Sequence, residues 1–215
     1  FPHRSSYPQA GPEPRANSAR LDVLGRDNGR LWLHGRELVL SPRHTELLLI
    51  LSQHPEGLTA EELAVRLFEV DCSPVTIRAE MARLRRLLTS ASNGCGPMIA
   101  SRPYRMIVPV DTDVADMRRL LERGAHRRAL AVYHGPVLPR SEAPDIKELR
   151  RVVRRGLRDA ILRHANTDVL FSYAQSPDGW YDLDVWSACR DRLSAGSPRR
   201  TQVESHLRFL DGQLA

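Results

Sequence analysis

Three short apolar runs, Leu21 to Leu24, Leu31 to Leu33 and Leu38 to Leu40, are broken by Asp27-Asn28-Gly29 and by Gly35-Arg36. Short runs bounded by turn residues predict strands, and the Asn-Gly pair favours the positive φ angles of a tight hairpin turn. A small antiparallel sheet is therefore expected first. The period then changes. Ser41-Pro42 joins a capping serine to a proline tolerated in a first helical turn, and Leu47, Leu48, Ile50 and Leu51 follow on a broad apolar face up to His54-Pro55-Glu56-Gly57. Thr59 and Glu62 form a capping box ahead of a short helix carrying Leu63, Leu67 and Phe68. Asp71-Cys72 reads as a turn. Ser73-Pro74 repeats the start signal for a third helix over 74–88, in which Ile77, Met81, Leu84 and Leu88 share one face. Thr89 to Pro97 reads as a loop. Met98 to Ala100 and Arg105 to Val108 read as two strands joined by Ser101-Arg102-Pro103-Tyr104.

From Asp113 onward the pattern is helical. The strongest segment runs from Pro144 to about His164, with Ile146, Leu149, Val153, Leu157 and Ile161 as its apolar stripe. Arg150, Arg151, Arg154, Arg155 and Arg158 occupy its other face. That face reads as solvated, as a source of phosphate contacts, or as a dock for an acidic protein. Further helices are expected at 167–174, at 183–193 and from Ser197-Pro198. Trp180, Tyr181 and Trp186 read as core anchors. Asp178, Asp182 and Asp184 read as helix-start carboxylates, favoured at the positive end of a helix. The expected division is a disordered linker over 1–19, one domain over 20–110 and an all-α helical domain over 111–215.

Charge narrows the choice of partner. The 215 residues carry a formal charge of +6, which favours a polyanion. Lys147 is the only lysine, and arginine offers a planar fork suited to phosphate or a guanine edge. Cys72, Cys95 and Cys189 are widely spaced and form neither a CxxC pair nor a disulfide framework, which fits free thiols in a reducing compartment. The longest apolar run, Leu47 to Leu51, is far short of the ~20 residues that span a bilayer. The first residue is Phe1, and the chain reads as a fragment of a longer protein. Its eight histidines show no HExxH spacing, and GxGxxG, GxxxxGK and GxSxG are absent. No enzyme activity, cofactor or metal is expected.

Three closely spaced helices followed by a two-stranded hairpin describe a winged helix-turn-helix, so the expected class is α+β. Such a unit must place one helix in a major groove about 12 Å wide while the helix's back stays anchored to a core. At 100° per residue, the face of the third helix opposite Ile77 carries Val75, Thr76, Ala79, Ala82, Arg83 and Arg86. The small residues allow close approach. The expected DNA contacts are Arg83 and Arg86 on bases, Ser73 and Thr76 at the helix start, Arg78 on a phosphate from the flank, and Arg102 and Arg105 from the hairpin.

These segments resemble the OmpR/PhoB-type winged-helix effector domains. Leu40 to Leu48 resembles that family's first-helix start, Ser73 to Leu88 its recognition helix, and Ser101-Arg102-Pro103-Tyr104-Arg105-Met106 its wing, with Pro103 where glycine is usual. Arg128 to Pro144, with Ser197-Pro198-Arg199-Arg200, resembles the C-terminal half of actinobacterial regulators that carry an N-terminal GAF domain. It is also distantly similar to the helical domain of Streptomyces antibiotic regulatory proteins. The resemblance implies a cytoplasmic, nucleoid-associated regulator of transcription. Its partner would be double-stranded DNA, read by 74–88 in the major groove, with the wing over 98–108 on the adjacent backbone or minor groove. A homodimer formed through an upstream domain is compatible with it. The alternative is a protein-interaction module whose basic C-terminal helical domain docks RNA polymerase or another acidic partner.

Overall fold

The structure is a computed structural model that describes residues 19–69, 73–92 and 96–214. Residues 1–18 of the linker expected over 1–19, the turn at Asp71-Cys72, and Cys95 lie outside the described residues.

Alternation builds the first sheet. Leu21 in β1 (Ala19–Asp22) and Leu31 and Leu33 in β2 (Arg30–Leu33) are buried, while their neighbours reach solvent. β2 pairs antiparallel with β1 and with β3 (Arg36–Val39). β1 begins at Ala19, one residue inside the expected linker. The tight turn also moves. His34 and Gly35 join β2 to β3 with φ of 47° and 77°, the pair of positive angles that a two-residue hairpin demands. Asn28-Gly29 instead sits in the β1–β2 loop. There Asn28 Nδ2 donates to the Leu40 carbonyl (2.8 Å) and Gly29 N to Thr45 Oγ1 (2.9 Å).

The helix starts follow their caps. Ser41 accepts from His44 N ahead of α1 (Pro42–Gln53), and Thr59 and Glu62 complete a capping box on α2 (Ala60–Leu67). Ser73 caps α3 (Pro74–Ala91). The helix therefore runs three residues past its expected end at Leu88, because no glycine or proline interrupts Thr89-Ser90-Ala91, and Ser90 and Ser92 bond back to the Leu87 and Thr89 carbonyls. β4 (Ile99–Ser101) and β5 (Tyr104–Met106) form a separate antiparallel hairpin. β6 (Val110–Thr112) then pairs parallel with β1, giving the order β3-β2-β1-β6. Asp111 and Thr112, expected within an all-α segment, are thus part of the sheet.

Six helices follow: α4 (Asp113–Glu122), α5 (His126–Val132), α6 (Pro144–His164), α7 (Thr167–Ala174), α8 (Leu183–Arg192) and α9 (Pro198–Leu214). They pack onto the first part of the chain and share its apolar core. Leu24 bridges to Val137, Arg66 pairs with Asp145 (2.8 Å) and Ser141 Oγ donates to the buried Glu46 (2.6 Å). Arg150, expected on a free basic face, donates to the carbonyls of Val137, Leu138 and Ser141 and clamps the strap that leads into α6.

Of the three expected aromatic anchors, only Trp186 is fully buried. It meets Phe171 edge-on and donates Nε1–H to the Trp180 carbonyl (3.0 Å). Trp180 is 37% exposed and Tyr181 68% exposed. They occupy the α7–α8 connection rather than a helix face, so no helical stripe turns them inward. Cys189 is buried, and burial pushes its thiol up to about 11, which leaves it unreactive.

Asp113 fastens the sheet to α4. One carboxylate oxygen accepts from Val23 N and Leu24 N (both 2.9 Å), while the other is buried without a partner. Burial, reinforced by Asp22, outweighs those amides and raises the carboxyl from 3.8 to about 6. The protonated form is therefore favoured by folding, and the stabilisation, about 3 kcal/mol when complete, is lost as pH rises through about 6. Asp113→Asn keeps an oxygen for both amides but cannot ionise. In urea titrations from about pH 5 to about pH 7.5, this group should cost the native protein on the order of 1–2 kcal/mol. The variant should lack that slope; an equal slope in both would contradict the assignment.

Among the described residues, no helix is long and apolar enough to cross a membrane, and no cluster of histidine, cysteine and carboxylate side chains could hold a metal ion.

Candidate nucleic-acid interface

α3 is held by one face only. Ile77, Met81, Leu84 and Leu88 are buried against α1 and α2. The opposite face stands clear: Val75, Thr76, Ala79, Ala82, Arg83 and Arg86 are all exposed. Val75 is 65% exposed, as Val65 of α2 also is (74%). Two short side chains between longer polar ones leave the backbone open to close approach along a strip.

The expected contact residues fall into three groups. Thr76, Arg83 and Arg86 lie together on that exposed face. Ser73 stands at its N-terminal end, with its hydroxyl accepting from Val75 N (3.3 Å). Arg78 sits on the flank and pairs with Glu61 of α2 (2.7 Å), both groups being well exposed. Such a pair contributes only about 0–1 kcal/mol, so a phosphate can displace it at little cost. Arg102 and Arg105 are exposed on the hairpin and have no partner among the described residues.

Glu80 and His44 belong to the same site but were not foreseen. Glu80 accepts from Arg83 and lies 3.5 Å from Nε2 of His44 on α1. Burial, and after it the nearby Arg83, lowers the His44 imidazole against the pull of Glu80. Glu80 thus offers Arg83 a partner on the same helix, in a pair whose arginine is as exposed as that of Arg78. The i, i+3 spacing of Glu80 and Arg83 is visible in sequence; the approach of His44 requires the packing of α1 on α3.

The hairpin is fastened beside this face. Leu58 and Tyr104 exchange both backbone hydrogen bonds (2.9 and 2.8 Å), so the α1–α2 connection pairs with β5. Gly57 makes this possible. Its φ is +90°, and a Cβ there would lie 2.9 Å from the Tyr104 carbonyl oxygen and 3.0 Å from Arg105 Cβ. Gly57→Ala should therefore cost about 1–3 kcal/mol in backbone strain and loosen the hairpin first. Amide hydrogen exchange at Leu58 and Tyr104 should accelerate more than at the α3 core positions. Uniform acceleration everywhere would show that the hairpin is not separately held.

The second basic surface, on α6, is largely neutralised from within. Arg154 pairs with Asp178 (3.0 Å), and Arg158 pairs with Asp182 and Asp184. Asp182 also caps α8, accepting from Val185 N. Asp182 and Asp184 are thus helix-start carboxylates and arginine partners together, whereas Asp178, expected to be one as well, lies in the α7–α8 connection and serves Arg154 and Tyr133. Arg151 pairs with Glu148 (2.8 Å), and Arg155 makes no hydrogen bond or close ion pair among the described residues, though its charge acts on Glu148.

Residues 166–215, which comprise α7 to α9, match the family described as "YTH3-like protein, third C-terminal helical domain". The chain is also 40% identical over 199 residues to an uncharacterized 47.3 kDa protein in the thcA 5' region of Rhodococcus erythropolis. That match covers 93% of this chain and 44% of the relative, so the chain spans less than half the length of the curated relative it matches.

Proposed function

We propose that this chain is a sequence-specific DNA-binding regulator of transcription of the winged helix-turn-helix type, without enzymatic activity. The observation that carries the reading is the exposed face of α3, where Thr76, Arg83 and Arg86 flank Ala79 and Ala82 while the back of the helix is locked in the core. α3 enters the major groove, and Arg83 and Arg86 reach base edges. The N-terminal turn at Ser73 and Thr76 meets a phosphate. Arg78 exchanges Glu61 for a phosphate. Arg102 and Arg105 bring the hairpin onto the neighbouring backbone or into the minor groove. The rival reading, a dock for RNA polymerase or another acidic protein through α6, is weaker because Arg150, Arg154 and Arg158 are already committed within the chain.

Selection from a random duplex library at about 150 mM salt, near physiological ionic strength, tests the reading. Enrichment of one motif supports it. Retention of all sequences alike, or of none, overturns it, because loose electrostatic binding carries no sequence preference.

A further inference from the structure

A cleft of about 500 Å³ lies along α6, against the segment that joins α7 to α8. Lys147, Arg150, Arg151, Arg154, Arg155 and Arg158 form one wall, at spacings that place them on a single helical face. Tyr173, Asp159, Asp178 and Asp182 complete the lining. Six cations against three carboxylates leave this lining at +3. Most of the charge is already spent on holding the fold, as described above. What remains is Arg155, which makes no hydrogen bond or close ion pair among the described residues, beside Arg151 and Lys147, whose carboxylate partners are exposed.

Tyr173 is the second, independent observation. It is 1% exposed, yet its hydroxyl has no hydrogen-bond partner among the described residues, although it lines the cleft. The hydroxyl oxygen is not sealed off: it keeps access to the cleft, where Asp178 and Asp182 as well as Arg154 and Arg158 act on it. The neighbouring Tyr133, by contrast, donates to Asp178 (2.6 Å). The Tyr173 hydroxyl is thus a donor open to a molecule that enters the cleft.

We propose that this cleft binds a small organic polyanion, a phosphate ester or polycarboxylate, with Arg155 and the Tyr173 hydroxyl as its ligating groups and Arg151 and Lys147 at the rim. The volume suits a small molecule, and an arginine fork with a neutral donor suits an anionic oxygen pair. The site is separate from α3 and does not depend on the DNA-binding reading.

Calorimetric titration of the full chain with inorganic pyrophosphate and, separately, with citrate tests this and distinguishes the two chemistries. Tyr173→Phe and Arg155→Gln serve as variants. Neither removes a contact within the chain, so their unfolding temperatures should match the native protein's. At least one probe should bind with a Kd below about 1 mM, and each variant should weaken it about tenfold or more, as expected for lost hydrogen bonds to a charged group. Binding of neither probe, or binding that survives in either variant, would overturn the proposal.

Discussion

Replacing Arg83 and Arg86 together by alanine is expected to abolish sequence preference while leaving the fold intact. Both side chains are exposed, and neither contributes to the face of α3 that packs on the core. A good bidentate base contact discriminates by about 1–3 kcal/mol. Losing two should weaken binding to the selected duplex by roughly 30-fold or more, while binding to unrelated sequence changes little. Competition between the selected and a scrambled duplex measures the difference. If affinity falls equally on both and the salt dependence flattens, the two arginines touch phosphates and do not read bases.

The second large effect concerns stability. Trp186→Ala should cost about 3–5 kcal/mol, the usual range for removing a buried tryptophan. Trp186 joins the α7–α9 unit at its centre: Phe171 and Trp180 meet it edge-on, His206 lies against it at 4.0 Å between ring centroids, and its indole N–H is bonded. Without it, the Trp180 carbonyl keeps only its contact with His206 Nε2 (2.8 Å). Denaturant titration followed by circular dichroism should show the lost stability. A change under about 1 kcal/mol, within the range of ordinary surface substitutions, would mean that the unit is organised around another side chain.

The two tryptophans show which features were legible in the sequence. Trp186 falls on a helix with Val185 and Cys189 beside it in the core, and its burial follows from that stripe. Trp180 and Tyr181 precede the helix, where periodicity gives no direction; Trp180 still packs against Trp186 and His206, whereas Tyr181 is left exposed. Helix starts were legible because caps are local: Ser41-Pro42, Thr59 with Glu62, and Ser73-Pro74 each act within four residues. The end of α3 was not, since small polar residues permit either a loop or another helical turn. β6 was invisible because its partner β1 lies about ninety residues away, and a three-residue strand has no period to read. Choosing His34-Gly35 over Asn28-Gly29 for the tight turn likewise needed the strand register. For the candidate site, the exposed face of α3 followed from 100° per residue. Its charge partners divide by range: Glu80 is local to Arg83, whereas Glu61 reaches Arg78 and Asp178 reaches Arg154 only through tertiary packing.

The claim at the centre of this account is that α3 lies in the major groove, and methylation protection of guanine N7, an atom exposed only there, tests it most directly. On the selected duplex, the native protein should protect guanines within one short stretch, and the Arg83→Ala, Arg86→Ala variant should leave those guanines reactive at saturating concentration. Full occupancy without protection of any guanine N7, or protection unchanged in the double variant, would contradict the account.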